Sequence, residues 1–362
     1  MFNNYKFLVK IICYVSFLII IIGGSLILKN KFYPKSAQAG LTLLFKDNQA
    51  TDALVRLLGM TGIRIQGDTL QPDNHWPEAK LVLSSRSLEE ITRAVQGKIR
   101  PEVTWLIPPT QERWQTQGLR YINFSKEQAY IILNLVLKEL KMGEEITPLR
   151  SKYEGILFLG STLKNVRERL NLLNNYIEKE RFTFEEIWAL TGERSLDPTV
   201  GETFENLLDP KGSIPLRTGW KKTPEMLFPT SEEQMVEWVF KQSCSNRISL
   251  ELVKMVHAPK EEGRKRATTK TTVEAWLKEN PKGGNYLAVS TQPFGLYQLL
   301  VLRHHVLAKG RVDILIDVIA AKFPFSTYTH QSEEKLRQFV NIALDNIAKI
   351  CYELVEIEKL RA

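Results

Sequence analysis

A chain of 362 residues with 43% apolar and 25% charged residues has the composition of a globular protein, and it is long enough for two folding units. The formal charge of +8 comes mostly from residues 1–39, which carry five lysines and no acid, so 44 basic and 41 acidic residues remain beyond them. This nearly balanced body excludes a general nucleic-acid-binding protein, which needs a concentrated basic face.

The first element in chain order is an apolar run at residues 11–28, which contains 18 residues without a charge. A bilayer-crossing helix needs roughly 20 residues, within a range of about 17–25. We therefore predict one transmembrane helix there, with residues 1–39 forming a membrane anchor or signal segment and a linker. A cleaved signal peptide is an alternative, because residues 37–39 have the small-x-small form of a processing site. A third possibility for this run is a helix in the core of a soluble protein.

The charges around this apolar run bear on its orientation. Two lysines precede the run and three follow it, which by the positive-inside rule favours a cytoplasmic body. The candidate processing site favours export instead. We predict a protein anchored in the inner membrane with its body on the exported side.

Residues 40–150 are predicted to form a mixed α/β region of undetermined architecture. The apolar spacing predicts a helix over 47–58, and a capping-box pattern that starts at Ser87 predicts another that reaches Val95. Residues 80–83 and 103–107 are strand candidates, and residues 128–140 are a helix candidate.

Residues 151–362 alternate short apolar runs with helical patterns, which predicts a Rossmann-like α/β domain with a mainly parallel sheet and helices on both faces. The segment 193–229 contains five prolines, and a loop of that length is usually functional or an inserted subdomain. The strand candidates are residues 155–160, 186–191, 249–256, 286–291 and 312–319, and the helix candidates are residues 163–179, 231–242, 270–279, 294–308 and 332–358.

Small and hydroxyl residues follow these strands at the ends where open α/β sheets bind ligands. Backbone N–H groups at the start of the helix after Gly160 would suit an anion, and Gly192 permits close backbone approach. Plain strand-to-helix turns are the alternative. The predicted ligand-binding residues are Gly160, Ser161, Thr162, Arg167, Thr191, Gly192, Glu232, Thr269, Ser290, Thr291 and Gln292.

Charged residues near two helix starts have more than one interpretation. Either Arg167 or Arg169 could reach back over the first strand end, or both could lie on a solvated helix face. Glu232 and Glu233 could supply a catalytic or ligand-accepting carboxylate, or they could complement the helix dipole, which is worth roughly 0.3–1 kcal/mol. Thr269 could contact a ligand or help to cap its helix.

Several chemistries lack their motifs. The five histidines and three cysteines show no metal-ligand spacing, so we predict no metal site. Neither a G-x-S-x-G elbow nor a G-x-G-x-x-G or Walker motif is present, and the cofactor and any catalytic residues stay undetermined. Cys244 and Cys351 could form one disulfide, but two separate buried thiols are the favoured interpretation.

Short signatures occur in a fixed order over roughly residues 153–320: Leu159-Gly160, Arg167 or Arg169, Thr191-Gly192, Glu232 or Glu233, Thr269 and Ser290-Thr291. This order resembles the YdcF-like family of envelope proteins, which includes SanA and ElyC. The resemblance implies a doubly wound α/β domain, an N-terminal membrane segment, association with the cell envelope and a polar pocket at the strand ends.

The chain departs from that family at two places. Family members usually carry a histidine and an arginine after the fourth strand, where this chain has Phe294 and Tyr297. Family members often have Thr-x-Glu followed by Asn. In this chain, Thr271 stands at the position of the Glu and Thr272 at the position of the Asn. These departures bear on catalysis more than on the fold, and they favour a binding role or a different chemistry.

The expected function is therefore that of a membrane-tethered, envelope-associated protein that binds an anionic small molecule, either a nucleotide or a sugar phosphate, at the strand ends. The alternative is a noncatalytic tethered interaction protein with a vestigial pocket, in which segment 193–229 is the contact surface. Whether the protein is an enzyme stays open.

Overall fold

The computed structural model describes residues 40–70, 76–107, 124–210, 212–223, 227–264, 266–323 and 331–361. The strands are β1 (Phe45–Lys46), β2 (Gln49–Ala50), β3 (Ile63–Ile65), β4 (Leu81–Leu83), β5 (Gly155–Leu159), β6 (Glu186–Gly192), β7 (Val253–Ala258), β8 (Gly284–Thr291) and β9 (Ile314–Ala321). The helices are α1 (Asp52–Met60), α2 (Leu88–Val95), α3 (Lys126–Asn134), α4 (Leu163–Glu178), α5 (Phe204–Leu208), α6 (Glu232–Ser243), α7 (Thr269–Lys278), α8 (Gly295–Ala308) and α9 (Glu333–Lys359).

The central sheet consists of five parallel strands in the order β7-β6-β5-β8-β9. The chain enters at the middle of the sheet, moves outward through β6 and β7, and then crosses back to β8. The strand order therefore reverses between β5 and β8, and open α/β sheets bind ligands in the crevice at such a switch point. This α/β arrangement is consistent with a Rossmann-like fold.

Helices cover both faces of the sheet, which explains why β5 is a continuous apolar run with every residue buried. Side chains alternate along this strand: Ile156 and Phe158 share a core with α4 and α6, whereas Leu157 and Leu159 belong to the core on the other face. Phe158 packs edge-on against Phe240 of α6, with ring centroids 4.8 Å apart.

The region before the sheet packs against the C-terminal helix. α9 contacts α8 on one side and α2 and α3 on another. Apolar residues from all of these helices form one core cluster with the β5 residues of that face, including Ile91, Ile132, Leu300 and Ile347. The N-terminal region is thereby joined to the sheet through α8 and α9.

The predicted fold class also contained one transmembrane helix, and this part is corrected. Within the described ranges, no helix combines the length and the apolarity that crossing a bilayer requires. The longest, α9, has 27 residues but carries charged side chains along its length. The predicted span at residues 11–28 lies outside the described residues.

The helix predicted over 47–58 begins only at Asp52. Residues 49–50 instead pair with residues 45–46 in a two-stranded antiparallel sheet.

Other predicted elements also differ from the observed ones. Residues 103–107 do not form a strand, because Val103 ends a single 3-10 turn. The backbone N–H of Trp105 instead donates to the carbonyl oxygen of Val95 in α2. The strand predicted at 249–256 begins only at Val253, since a capped 3-10 turn occupies residues 250–252. The segment 193–229, predicted as a long loop, contains a 3-10 turn and α5.

The two cysteines of the described chain are free and buried, as favoured above. Burial raises the pKa of both the Cys244 and the Cys351 thiol to about 12. Both thiols are therefore protonated at neutral pH and behave as small apolar side chains.

Candidate functional site

A cavity of about 530 Å³ lies at the carboxyl ends of β5 and β6, beside the point where the strand order reverses. The first turns of α4, α6, α7 and α8 contribute to its lining, and so do residues of α3 and α9. Pockets for small molecules usually have volumes of about 300–1,000 Å³. The cavity therefore has the size and the position of a ligand site.

Two glycines at the strand ends make room for the protein's own side chains. A Cβ atom on Gly160 would clash with the carboxylate of Glu232 and would lie 3.0 Å from the carbonyl oxygen of Leu190. A Cβ atom on Gly192 would lie 2.7 Å from the Cβ atom of Ala267. Close approach at these glycines thus brings the start of α6 and the loop before α7 against the sheet.

Arg194 forms a buried cluster with two carboxylates. Its Nη1 and Nη2 atoms each donate to Glu202 at 2.7 Å, and its Nε atom donates to Glu232 at 2.5 Å. Burial disfavours the charge of Arg194, but its hydrogen bonds to Glu202 and the negative charges of both carboxylates outweigh that and raise its pKa. This guanidinium is already neutralised, so it binds the loop to α6 and does not supply charge for a ligand.

Glu202 also reaches the N-terminus of α4. Its Oε1 atom accepts a hydrogen bond from the backbone N–H of Leu163 at 3.1 Å. A carboxylate at a helix N-terminus is stabilised by the helix dipole and the free N–H groups. The anion predicted at this helix start is thus at least partly the protein's own side chain.

Arg169 has a different environment from Arg194. It is 1% exposed, and its Nη1 atom donates to the carbonyl oxygens of Leu159 at 2.6 Å and Gly160 at 2.9 Å. Its Nη2 atom lies 3.5 Å from Oε1 of Gln298, and its Nε atom has no hydrogen-bond partner in the described part of the chain. Burial lowers its pKa to about 10, so it stays protonated at neutral pH.

Arg167, the arginine chosen from the sequence, lies outside the cavity. Its Nη2 atom donates to the carbonyl oxygen of Asn206 at 2.6 Å and to Gln242 at 3.3 Å. Residues two positions apart on a helix point in widely different directions, about 200° apart. Arg169 consequently faces the strand ends, and Arg167 faces the segment around α5.

Three predicted hydroxyl residues do not line the cavity. Thr191 donates to the carbonyl oxygen of Val256 at 3.0 Å, within the sheet. Ser290 donates to Oε1 of Gln298, which does line the cavity. Thr291 is 3% exposed and does not line the cavity either. Ser290 therefore positions a lining residue that the sequence patterns did not identify.

The remaining predicted residues converge on the cavity. Oγ of Ser161 accepts from Nδ2 of Asn165 at 3.0 Å, so a residue one helical turn later, missed in the sequence, belongs to the same polar edge. The described residues contain no group of His, Cys, Asp and Glu suited to a metal ion. The predicted residues that line the cavity are Gly160, Ser161, Thr162, Gly192, Glu232, Thr269 and Gln292.

Basic residues outnumber acidic residues around the cavity. Four of the basic residues form ion pairs: Lys164 with Glu168, Arg194 with Glu232, Arg264 with Glu261, and Lys349 with Asp345. Arg169 has no ion pair with a carboxylate in the described residues, although the negative charges of Glu232 and Glu168 favour its charged form. The basic lining residues are Lys164, Arg169, Arg194, Arg264, Arg266 and Lys349, and the acidic ones are Glu168 and Glu232.

Comparisons with known proteins do not identify the function of this site. No protein-family model matches the chain, and neither the curated proteins nor the solved structures include a match. The YdcF-like resemblance therefore stays a prediction. Phe294 and Tyr297, which stand where that family carries a histidine and an arginine, both line the cavity.

Proposed function

We propose that this protein binds an anionic small molecule, such as a phosphate ester, in the cavity at the strand ends. The observation that carries the proposal is Arg169, whose buried guanidinium donates to carbonyl and amide oxygens but forms no ion pair with a described carboxylate. A buried charge without an ionic partner costs several kcal/mol. An anion from solution would offset this cost.

A second cation supports the same proposal. Arg266 lines the cavity, and its positive charge, like burial, lowers the pKa of Arg169, whereas the negative charges of Glu232 and Glu168 raise it. An anion that contacts both guanidinium groups would relieve their repulsion. Polar groups of Ser161 and Gln298 lie at the same edge and could donate or accept hydrogen bonds around the anion.

The test is a thermal-shift measurement on the full-length chain with phosphate, sulfate, nucleotides and sugar phosphates. A ligand at about 100 times its dissociation constant adds roughly 2.7 kcal/mol of apparent stability. We expect Arg169→Met to abolish the ligand-induced shift. Arg167→Met is the matched control, because Arg167 is also buried on α4 but lies outside the cavity, and it should keep the shift.

Two results would contradict the proposal. A shift of equal size in wild type and Arg169→Met would place the anion elsewhere on the surface. The absence of a shift with every anion, in a sample that unfolds cooperatively, would favour the interaction-protein alternative, in which segment 193–229 should then be required for partner binding.

A further inference from the structure

Part of the cavity lining is apolar, and it comes from outside the sheet. Leu133 of α3 and Leu137 of the turn that follows contribute to it, together with Phe339 and Ile342 of α9. None of these four side chains has a hydrogen-bonding group. Most polar residues of the cavity come instead from the strand ends, the helices that follow them and the loop before α7, and α9 adds Lys349.

The apolar part has surface that stays accessible among the described residues. Phe339 and Ile342 are only half-buried, although Val340 and Leu344, their neighbours on α9, are 0% and 2% exposed. α9 thus turns Val340 and Leu344 into the core, and it turns an apolar stripe of Phe339 and Ile342, followed by Lys349, towards the cavity. Apolar surface that remains accessible inside a concave site commonly marks a ligand-binding surface.

We infer that the ligand carries a hydrocarbon group attached to its anionic end, as in a monoalkyl phosphate. This rests on the proposed function, since Arg169 is expected to bind the anion. Sugar hydroxyls or the edge of a nucleobase placed against Leu137 and Ile342 would lose hydrogen bonds to water without gaining others, which is unfavourable. A hydrocarbon group loses nothing there and removes apolar surface from water.

The first experiment compares phosphate esters by titration calorimetry with the full-length protein. Hexyl phosphate and glucose 6-phosphate both carry six carbon atoms, but only the sugar has hydroxyl groups. We expect hexyl phosphate to bind at least tenfold more tightly than ethyl phosphate, glucose 6-phosphate or adenosine monophosphate. Full burial would give about fourfold per methylene group, the equivalent of about 0.8 kcal/mol.

A pair of variants tests whether the apolar stripe on α9 is responsible. Ile342→Gln places an amide in the cavity wall, and we expect it to remove most of the advantage of hexyl over ethyl phosphate while ethyl phosphate binding stays the same. Val355→Gln is the control, because Val355 is also half-buried and β-branched on α9 but does not line the cavity. It should retain the chain-length dependence.

The outcomes separate this inference from the proposed function. Tighter binding of glucose 6-phosphate or adenosine monophosphate than of hexyl phosphate, or equal binding of all the esters, would overturn the hydrocarbon group but leave anion binding intact. If the advantage of hexyl phosphate survives Ile342→Gln, the assigned surface is wrong. If no ester binds, both the inference and the proposed function fail.

Discussion

Arg194 and Arg169 lie at the same edge of one cavity and are both buried, but their partners differ. Arg194 donates to the carboxylates of Glu202 and Glu232, whereas Arg169 donates to two backbone carbonyls and lies near the amide oxygen of Gln298. The first guanidinium forms ion pairs within the protein, whereas the second forms none among the described residues and interacts with the negative charges of Glu232 and Glu168 only without contact. A buried arginine therefore indicates an anion site only when the fold leaves it without an ion pair.

Because their partners differ, we expect the two arginines to contribute to different properties of the protein. Breaking a buried ion pair leaves the remaining partner charged and desolvated, which is strongly destabilising. Removing Arg169 breaks no ion pair among the described residues, although Glu232 and Glu168 lose a favourable electrostatic interaction. We therefore expect the Arg194 cluster to contribute mainly to the free energy of unfolding, and Arg169 mainly to ligand affinity.

The largest expected effect comes from Arg194→Met. Two buried carboxylates, Glu202 and Glu232, would then lose their shared cation, and we expect the free energy of unfolding to fall by about 3–5 kcal/mol. Urea denaturation followed by circular dichroism measures this change. A loss below about 1 kcal/mol, similar to that of a surface pair, would remove the contrast with Arg169.

A smaller loss should follow Gly160→Ala. The added methyl group would meet the Glu232 carboxylate and would have to displace it from Gly192 and Arg194. Overpacking of this kind costs typically about 1–3 kcal/mol. Differential scanning calorimetry should show a lower unfolding temperature, and a second substitution, Glu232→Ala, should reduce the additional effect of Gly160→Ala because the clash is gone.

The smallest effect is a pH dependence that neither arginine can cause, since both stay charged under acidic conditions. Burial, and then the positive charges of His304, Lys270 and Lys309, lower the pKa of His305 to about 4. Between about pH 4 and the ordinary value of 6.5, the unfolded chain binds more protons at this residue, so its contribution to stability rises with pH. That contribution is fully present above pH 6.5.

His305→Gln removes this titration. We expect the variant to show a shallower rise of unfolding free energy between pH 4 and 6.5 than wild type, measured in urea at several pH values. Carboxylate side chains also titrate in this pH range. The quantity to compare is therefore the difference in the pH dependence of unfolding free energy between wild type and variant. Identical slopes would show that His305 has the same pKa in the folded and unfolded chains.

The strand ends could be located from the sequence because their signals are local. Continuous apolar runs that stop at Gly160, Thr191-Gly192 and Ser290 indicate where parallel strands end, and parallel strands end at one edge of a sheet. Of the predicted hydroxyl residues, Ser161, Thr162 and Thr269 line the cavity, whereas Thr191, Ser290 and Thr291 do not. The position of a strand end predicts which residues lie near the cavity, but not which side chains line it.

The choice between Arg167 and Arg169 is a second case that the sequence patterns could not decide. The apolar spacing of α4, with Val166 and Leu170 buried, predicts a helix and its buried face. Both arginines flank that face, and the helix pattern treats them alike. Only the positions of β5 and of the α5 segment decide that Arg169 meets carbonyls at the cavity and Arg167 meets a loop.

Local sequence patterns alone determined the parallel α/β character, the alternation of strands and helices, and the edge at which polar residues gather, because each depends on neighbours a few positions apart. Tertiary structure alone decided that Arg194 is shared by Glu202 and Glu232, and that α3 and α9 complete the cavity. These contacts join segments that are distant in sequence, and no periodicity records them. The balance of charge and apolar surface at the site is therefore a property of the folded chain.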